Sequence, residues 1–318
     1  MKFSRITKNP ANDIKREANR IIETVNPASN ALHLPPITGD HNLGYIYGNV
    51  RTHKQGNPLR PIISQIPAPM YLLAKKLNTI LTPYIPDTYS LKSSAEFLEA
   101  LRVTPTGGCI ASMDVESLFT NVPVDETIQM ILDKVYRDPD IPPLNIPEHA
   151  LRALLEISTK KAPFSDHRGR MYTQIYGVAM GSPLRVLFAN VYMCTVEERV
   201  FQNSGKPRMH VRYINDTFVS TDSQVEIEQL RRAFHDHSRL SYTIEHCQDR
   251  RLPFLDVLVK QQDTRFRMNV YTKPTNLGMC MNRESECPER YKHSTISTFV
   301  RRALSHCSSW NDTHSELE

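Results

Sequence analysis

Two aspartates stand where the chain reads as a strand end or a turn: Asp114 in SMDVESLFTNVP and Asp216 in RYINDTFVS. Carboxylate oxygens are the preferred ligands of hard divalent cations, and a strand end set beside a hairpin turn is a geometry that brings distant carboxylates together. Two Mg²⁺ ions held in this way activate a hydroxyl and neutralise phosphoryl charge, which suits the joining of a 3′-hydroxyl to an α-phosphate. Taken singly, each Asp is more often a solvated turn residue. The same bland reading holds for other residues considered alone. Lys54 and Arg60 read as loop charges, Phe119 as a core aromatic, and the turn Gly181, Ser182, Pro183 as an ordinary helix start.

The elements that must hold Asp114 and Asp216 are legible from periodicity. CIASMD is a strand that follows the pair Gly107 and Gly108 and carries Asp114 at its end, and residues 209–221 form a hairpin around a polar centre. Ile14, Ala18, Ile21, Ile22 and Val25 make an amphipathic helix, and Met70, Leu73, Ala74, Leu77, Ile80 and Leu81 make a second one, stopped by Pro83 and Pro86. Between them, residues 27–69 are rich in Pro, Gly, Asn and His and predict strands and turns. Ser93 with Glu96 predicts a capped helix to about Arg102, and Pro123 opens another, with a further helix through Leu151, Leu154, Leu155 and Ser158. PLRVLFANVYMCTVEERVF is a long buried helix, and Gln224 to His237 is helical. Strand alternation follows at Leu240–Ile244, Leu255–Val259 and Phe266–Val270, then a basic helix at 294–304 and a tail, SSWNDTHSELE, with no stripe. The sum is a mixed α+β chain with antiparallel strands.

Composition narrows the class. The chain has 318 residues, of which 40% are apolar and 23% charged, so a disordered chain is excluded and a large core is affordable in length. Its net charge of +5 permits a nucleic-acid partner without requiring one. No apolar run reaches the length of a membrane helix and MKFSRITKNP lacks a secretory apolar core, so the expectation is an intracellular protein without a membrane partner. Six dispersed cysteines without a CxxC pair predict reduced thiols.

Over residues 40–300 the chain resembles the reverse transcriptase of Penelope-like retroelements, RNA-directed DNA polymerases of transposable elements. YGNVRTHKQGNPLRPIIS resembles the fingers segment, SMDVESLFTNVP the first carboxylate motif, GVAMGSPLRVLFANVYM the template and nucleotide helix, and RYINDTF the second carboxylate motif; LPFLDVLV and NVYTKPTN resemble the motifs leading to the primer grip. The resemblance implies a right-hand fold, with a palm of antiparallel strands backed by helices, fingers and a partial thumb. On that reading residues 1–40 are an N-terminal helix and linker, 41–106 fingers, 107–275 palm with inserted fingers helices, and 276–318 the start of a truncated thumb. It implies that Asp114 ligates two Mg²⁺ ions, or Mn²⁺, assisted by the carbonyl of Val115. Phe119 would be the steric gate against a ribose 2′-hydroxyl, Lys54 and Arg60 would hold the incoming triphosphate, and Gly181, Ser182 and Pro183 would let backbone approach the nascent base pair. The partners implied are an RNA or DNA template with primer and deoxynucleoside triphosphates, in the nucleus if the element is active. A downstream GIY-YIG nuclease is common in the family; GYIYG at 44–48 is one pentapeptide and reads as a strand instead.

Two departures matter. The family's second motif has a metal-ligating Asp where this chain has Asn215, which brings an amide oxygen but no charge. Asp216 is the remaining acid, one residue along, where strand alternation points a side chain the other way. Arg185 and Val186 replace small residues after Leu184, and the arginine suits either a nucleic-acid phosphate or a local snorkelling contact. The expectation is therefore two-metal nucleotidyl transfer weakened at Asn215. The alternative is a nucleic-acid-binding protein derived from a polymerase and without catalysis. Zinc at Cys280, Cys287, His293 and Cys307 is disfavoured by the ligand spacing.

Overall fold

The computed structural model describes residues 3–28, 33–51, 56–276 and 281–318. In chain order the first elements are β1 (Phe3–Ile6), α1 (Ala11–Val25), β2 (Gly44–Val50), β3 (Leu59–Ser64), α2 (Tyr71–Leu81), α3 (Ser94–Val103) and β4 (Cys109–Val115). Next come α4 (Leu118–Asn121), α5 (Val124–Tyr136), α6 (Glu148–Thr159), β5 (Phe164–Ser165), β6 (Met171–Gln174) and α7 (Arg185–Ser204). The hairpin β7 (Met209–Tyr213) and β8 (Asp216–Thr221) leads to α8 (Gln224–Ser238), β9 (Tyr242–His246), β10 (Arg251–Phe254), β11 (Val257–Gln261) and β12 (Phe266–Val270). The described chain closes with α9 (Glu289–His306) and α10 (Trp310–Leu317).

These elements divide into two units, each discontinuous in sequence: Met1–Thr88 with Ser117–Val196, and Tyr89–Glu116 with Glu197–Glu318. Strand β4 belongs with β8 and β9, its ladder partners, and not with the helices that follow it.

The first unit holds a five-stranded sheet in the order β1-β6-β5-β2-β3. Its inner face buries Ile63, Phe164 and Ala179, with Phe3, Ile46 and Tyr172 packed against them. Helix α1 buries Ile14, Ala18, Ile22 and Val25 of the stripe expected from its spacing, together with Ala11, while Ile21 is half-buried. From Leu187 and Phe188 through Val196 most of α7 is buried, with Asn190 and Thr195 half-buried, which is why it reads as a largely apolar run.

The second unit holds a four-stranded sheet, β7-β8-β4-β9, and a three-stranded one, β10-β11-β12. Phe97, Phe218 and Phe254 join helix α3 to both sheets, with ring centroids 4.7 to 5.6 Å apart. Each buried ring contributes roughly 1.5–3 kcal/mol, and edge-to-face contacts about 1 kcal/mol more. Ser93 caps α3 by accepting from the Glu96 amide, as its sequence predicts.

Two expectations fail locally, and three short strands were not expected. Leu255 is not in a strand; it sits at φ +55° in the tight turn between β10 and β11, so the single expected strand is a hairpin. The tail SSWNDTHSELE contains α10, started by Ser309 accepting from the Asp312 amide, while Asp312 also pairs with Arg267 of β12. Strands β1, β5 and β6 are too short to show a period and exist through their partners. Among the described residues no helix is long and apolar enough to cross a membrane, and no disulfide joins the described cysteines.

Candidate active site

Within the second unit, Asp114 of β4 and Asp216 of β8 are direct antiparallel partners. Directly opposed residues project from the same face with Cβ atoms about 5 Å apart, so the two carboxylates share one space. The β7–β8 turn is only Ile214 and Asn215. Asn215 donates its side-chain amide to Asp114 Oδ1, and its carbonyl accepts from the Val115 amide at 3.0 Å. Both 215 and 216 therefore face Asp114. The alternation that would have turned Asp216 away applies inside a strand, whereas Asn215 lies in the turn, where side chains are not bound to the pleat.

The turn is strained and held. Ile214 has φ +59°, a conformation that costs a β-branched residue about 1–2 kcal/mol. Arg212 Nη1 donates to the Ile214 carbonyl at 3.1 Å, and the same guanidinium donates from Nε to Glu197 Oε1 at 2.7 Å and from Nη2 to Oε2 at 3.3 Å. His210 Nε2 lies 3.0 Å from Glu197 Oε1. Glu197 and Arg212 are fully buried. Burial pushes the Glu197 carboxyl up, but Arg212 and His210 outweigh it and hold the group below its ordinary value. Sequence reading missed this cluster; the signal was there in charged residues set inside otherwise apolar stretches, Glu197 in α7 and Arg212 in β7.

The electrostatics of the carboxylate pair are those of like charges brought close. Burial, then the charge of Asp114, raise the Asp216 carboxyl to about 6, and Lys273 pulls it down in part. Lys273 belongs to NVYTKPTN, so this motif reaches the acidic pair. Two repelling carboxylates on one face are a fitting oxygen set for one hard divalent cation. For a pair of cations the set falls short: the third position is the Asn215 amide, whose N–H occupies an Asp114 lone pair. Among the described residues no cluster of three or more His, Cys, Asp or Glu is arranged to hold a metal. Cys280 of the zinc alternative lies outside the described residues.

The first unit carries the other expected positions. The Phe119 carbonyl accepts from the Val178 amide at 2.7 Å, and the Arg185 guanidinium lies 5.7 Å from the Phe119 ring centroid while donating to the Met180 carbonyl. Arg185 thus makes local contacts with the turn before its helix and with Phe119. Gly181 bridges to Ser64 of β3, and a Cβ on it would meet the Ile63 carbonyl at 2.0 Å, so its missing side chain admits β3. Ser182 is buried and its Oγ accepts from the Leu184 amide at 3.3 Å. Gly181, Ser182, Pro183, Arg185 and Val186 line a cavity of about 260 Å³ with Tyr71 and Lys75 of α2, two residues that sequence reading passed over. Arg60 is exposed on β3, and Lys54 lies outside the described residues.

The fold is similar to that of telomerase, a reverse-transcriptase-related enzyme. Telomerase from Candida albicans, solved in complex with a TWJ fragment of telomeric RNA, matches with a TM-score of 0.61 and 12% identity over 99% of this chain and 54% of that one. Telomerase from Candida tropicalis, solved with the equivalent RNA fragment, matches with a TM-score of 0.52 and 10% identity over 88% of this chain and 52% of that one. The chain thus spans about half the length of the telomerases it matches. No family model matches the sequence, and no curated protein is similar to it.

Proposed function

We propose that the chain is the polymerase domain of a Penelope-like reverse transcriptase that binds a template with its primer, and whose nucleotidyl transfer is weakened by Asn215. The observation that carries this reading is the register of Asp114 opposite Asp216 at the mouth of a two-residue turn, in a reverse-transcriptase-like fold. Asp114 and Asp216 would hold the divalent cation, Mg²⁺ or Mn²⁺, with the Val115 carbonyl as a further oxygen. When bound, the cation supplies Lewis-acid activation of the primer 3′-hydroxyl and neutralises charge on the α-phosphate.

The chain's own groups do the rest. Glu197 and Arg212 hold the turn; by the family resemblance alone, Phe119 would take the role of the gate against a ribose 2′-hydroxyl, and Lys54 and Arg60 that of the cations for a deoxynucleotide triphosphate. With one carboxylate replaced by an amide, the cation pair of a full site is held loosely, and each ~1.4 kcal/mol of lost transition-state stabilisation is tenfold in rate. Primer extension on RNA and DNA templates, by the protein and by its Asn215→Asp variant with Mg²⁺ or Mn²⁺, tests the reading. Extension rises at least tenfold in the variant; equal, robust extension by both proteins overturns the claim of a weakened site. A nucleic-acid-binding protein without catalysis is the second reading, favoured by the Asn215 amide donating to Asp114, and it is supported if the variant binds primer-template yet extends nothing.

A further inference from the structure

The three-stranded sheet ends at β12, whose outer edge is covered in part by the link between α9 and α10. Ser308 in that link donates its amide to the Met268 carbonyl at 2.9 Å, and its Oγ accepts from the Met268 amide at 2.7 Å. Beside this pairing lies a cavity of about 490 Å³, the size of a small-molecule site. Three arginines from separate stretches line it: Arg102 from the last turn of α3, Arg265 from the β11–β12 turn and Arg267 from β12. Two of them are braced, Arg102 by Glu99, and Arg267 by Asp312, to which its Nε and Nη2 donate at 2.8 and 2.6 Å. Arg265 is exposed and makes no ion pair among the described residues. Met268 turns its amide and carbonyl outward to Ser308, so ladder alternation turns those of Phe266, two residues back, outward into the cavity that Phe266 lines. Buried Leu101 supplies an apolar wall, and among the described residues no Asp or Glu lines the space. Gln261, beside Gln262 of the lining, donates its Nε2 to the Gly108 carbonyl at 3.4 Å. Gly108 precedes β4, and Asp114 lies roughly 20 Å further along that extended strand, so the cavity and the carboxylate pair stand at opposite ends of it.

A cavity walled by guanidinium forks and a strand amide, with an apolar side and no carboxylate, suits a compact anion that offers several oxygens. We infer that it binds a small organic phosphate, with the phosphate monoester on Arg265 and the two braced guanidiniums and the body of the molecule against Leu101 and Met268. A carboxylate has two oxygens and fills one fork, whereas a phosphate monoester has three terminal oxygens, enough for forks from more than one arginine. Inorganic phosphate leaves most of the volume to water and binds more weakly. Because the lining comes from α3, the β11–β12 turn and the α9–α10 link, a bound molecule fastens the last two helices to the sheet. The site shares no residue with the carboxylate pair or its turn, and the inference does not rest on the nucleic-acid reading above.

The test uses naphthyl phosphate, a fluorescent aryl phosphate that carries no nucleoside, titrated into the full chain in EDTA so that no metal-held phosphate contributes. The parent binds it at least about tenfold more tightly than inorganic phosphate or naphthol. Saturation raises the thermal midpoint and slows alkylation by iodoacetamide of Cys307, a half-buried thiol in the lining. Arg265→Gln and Arg102→Gln each weaken binding by about tenfold, and Arg265→Lys recovers only part, since an ammonium has no fork. Arg250→Gln, which removes an exposed arginine paired with Asp263 outside the lining, leaves binding as it was. Thermal midpoints without the phosphate match the parent's in all of these variants, which separates lost contacts from lost folding. Equal affinity for naphthol is apolar adsorption and overturns the site. Affinity unchanged in both glutamine variants, or Cys307 alkylated as fast with naphthyl phosphate bound, overturns it too. A short single strand without a terminal phosphate that displaces naphthyl phosphate from the parent identifies the cavity as part of a strand path and also overturns the site. None of these readouts uses extension, so their failure leaves the polymerase reading standing, and a chain that extends nothing leaves the phosphate site standing.

Discussion

Arg212 and Glu197 form a bidentate ion pair with neither side chain exposed, and the arginine's remaining nitrogen reaches the carbonyl of Ile214 in the turn that carries Asn215 and Asp216. A buried charge pair is a poor source of net stability, yet breaking it is costly because one charge is left in a medium that cannot solvate it. Here it also fixes a strained turn, so its integrity bears on the geometry of the carboxylates.

Glu197→Gln is therefore expected to destabilise the protein by about 3 kcal/mol in urea unfolding, and Arg212→Met by a similar amount. The double variant, Glu197→Leu with Arg212→Met, should cost clearly less than the two single changes together, since it removes both charges. Strict additivity would show that the pair is not coupled.

The carboxylate pair sets a pH dependence. Without divalent cation the Asp216 carboxyl is pushed up to about 6, first by burial and then by Asp114, against about 3.9 in the unfolded chain. Between roughly pH 4 and 6 the unfolded chain has released a proton that the folded protein keeps, so this group's contribution to stability falls as pH rises through that window and is level above it. In EDTA, Asp216→Asn should flatten that part of the thermal-midpoint profile and melt above the parent at neutral pH. A profile whose slope between pH 4 and 6 is the same in the variant would refute the repulsion.

Gly181 offers a sharper steric test. A Cβ at this position would lie 2.0 Å from the Ile63 carbonyl, and the obstacle is backbone that cannot rotate away. Gly181→Ala should cost about 1–3 kcal/mol by urea unfolding, in the range of overpacked cores. Gly39→Ala is the contrast: its Cβ would meet nothing within 4 Å, but φ is +78°, so any loss there is conformational alone. A neutral Gly181→Ala would mean that β3 and the turn before α7 are not in contact as described.

Much of the architecture follows from local pattern. The stripes of α1, α2 and α6 largely match their buried residues because a helix bordering a core repeats apolar positions every three or four residues, whatever its partner. Ser93 and Ser223 cap their helices for a reason contained within four residues. Helix α10 carries the same kind of local cap at Ser309 but no apolar stripe over its eight residues, and its contact through Asp312 with Arg267 on β12 is one no local window holds. Leu255 likewise looks like a strand residue until the hairpin forces it to φ +55°.

At the site, the order of residues is enough for the inventory: Asp114, Asn215 and Asp216, and the charge missing at position 215, since side-chain chemistry belongs to each residue wherever it lies. It takes the folded chain to bring Asp216 opposite Asp114, to let Asn215 donate to the same carboxylate, and to set Glu197 and Arg212 behind the turn. Register between strands far apart in the chain is set by which faces are buried and by how the turn closes, and neither is written in any single segment.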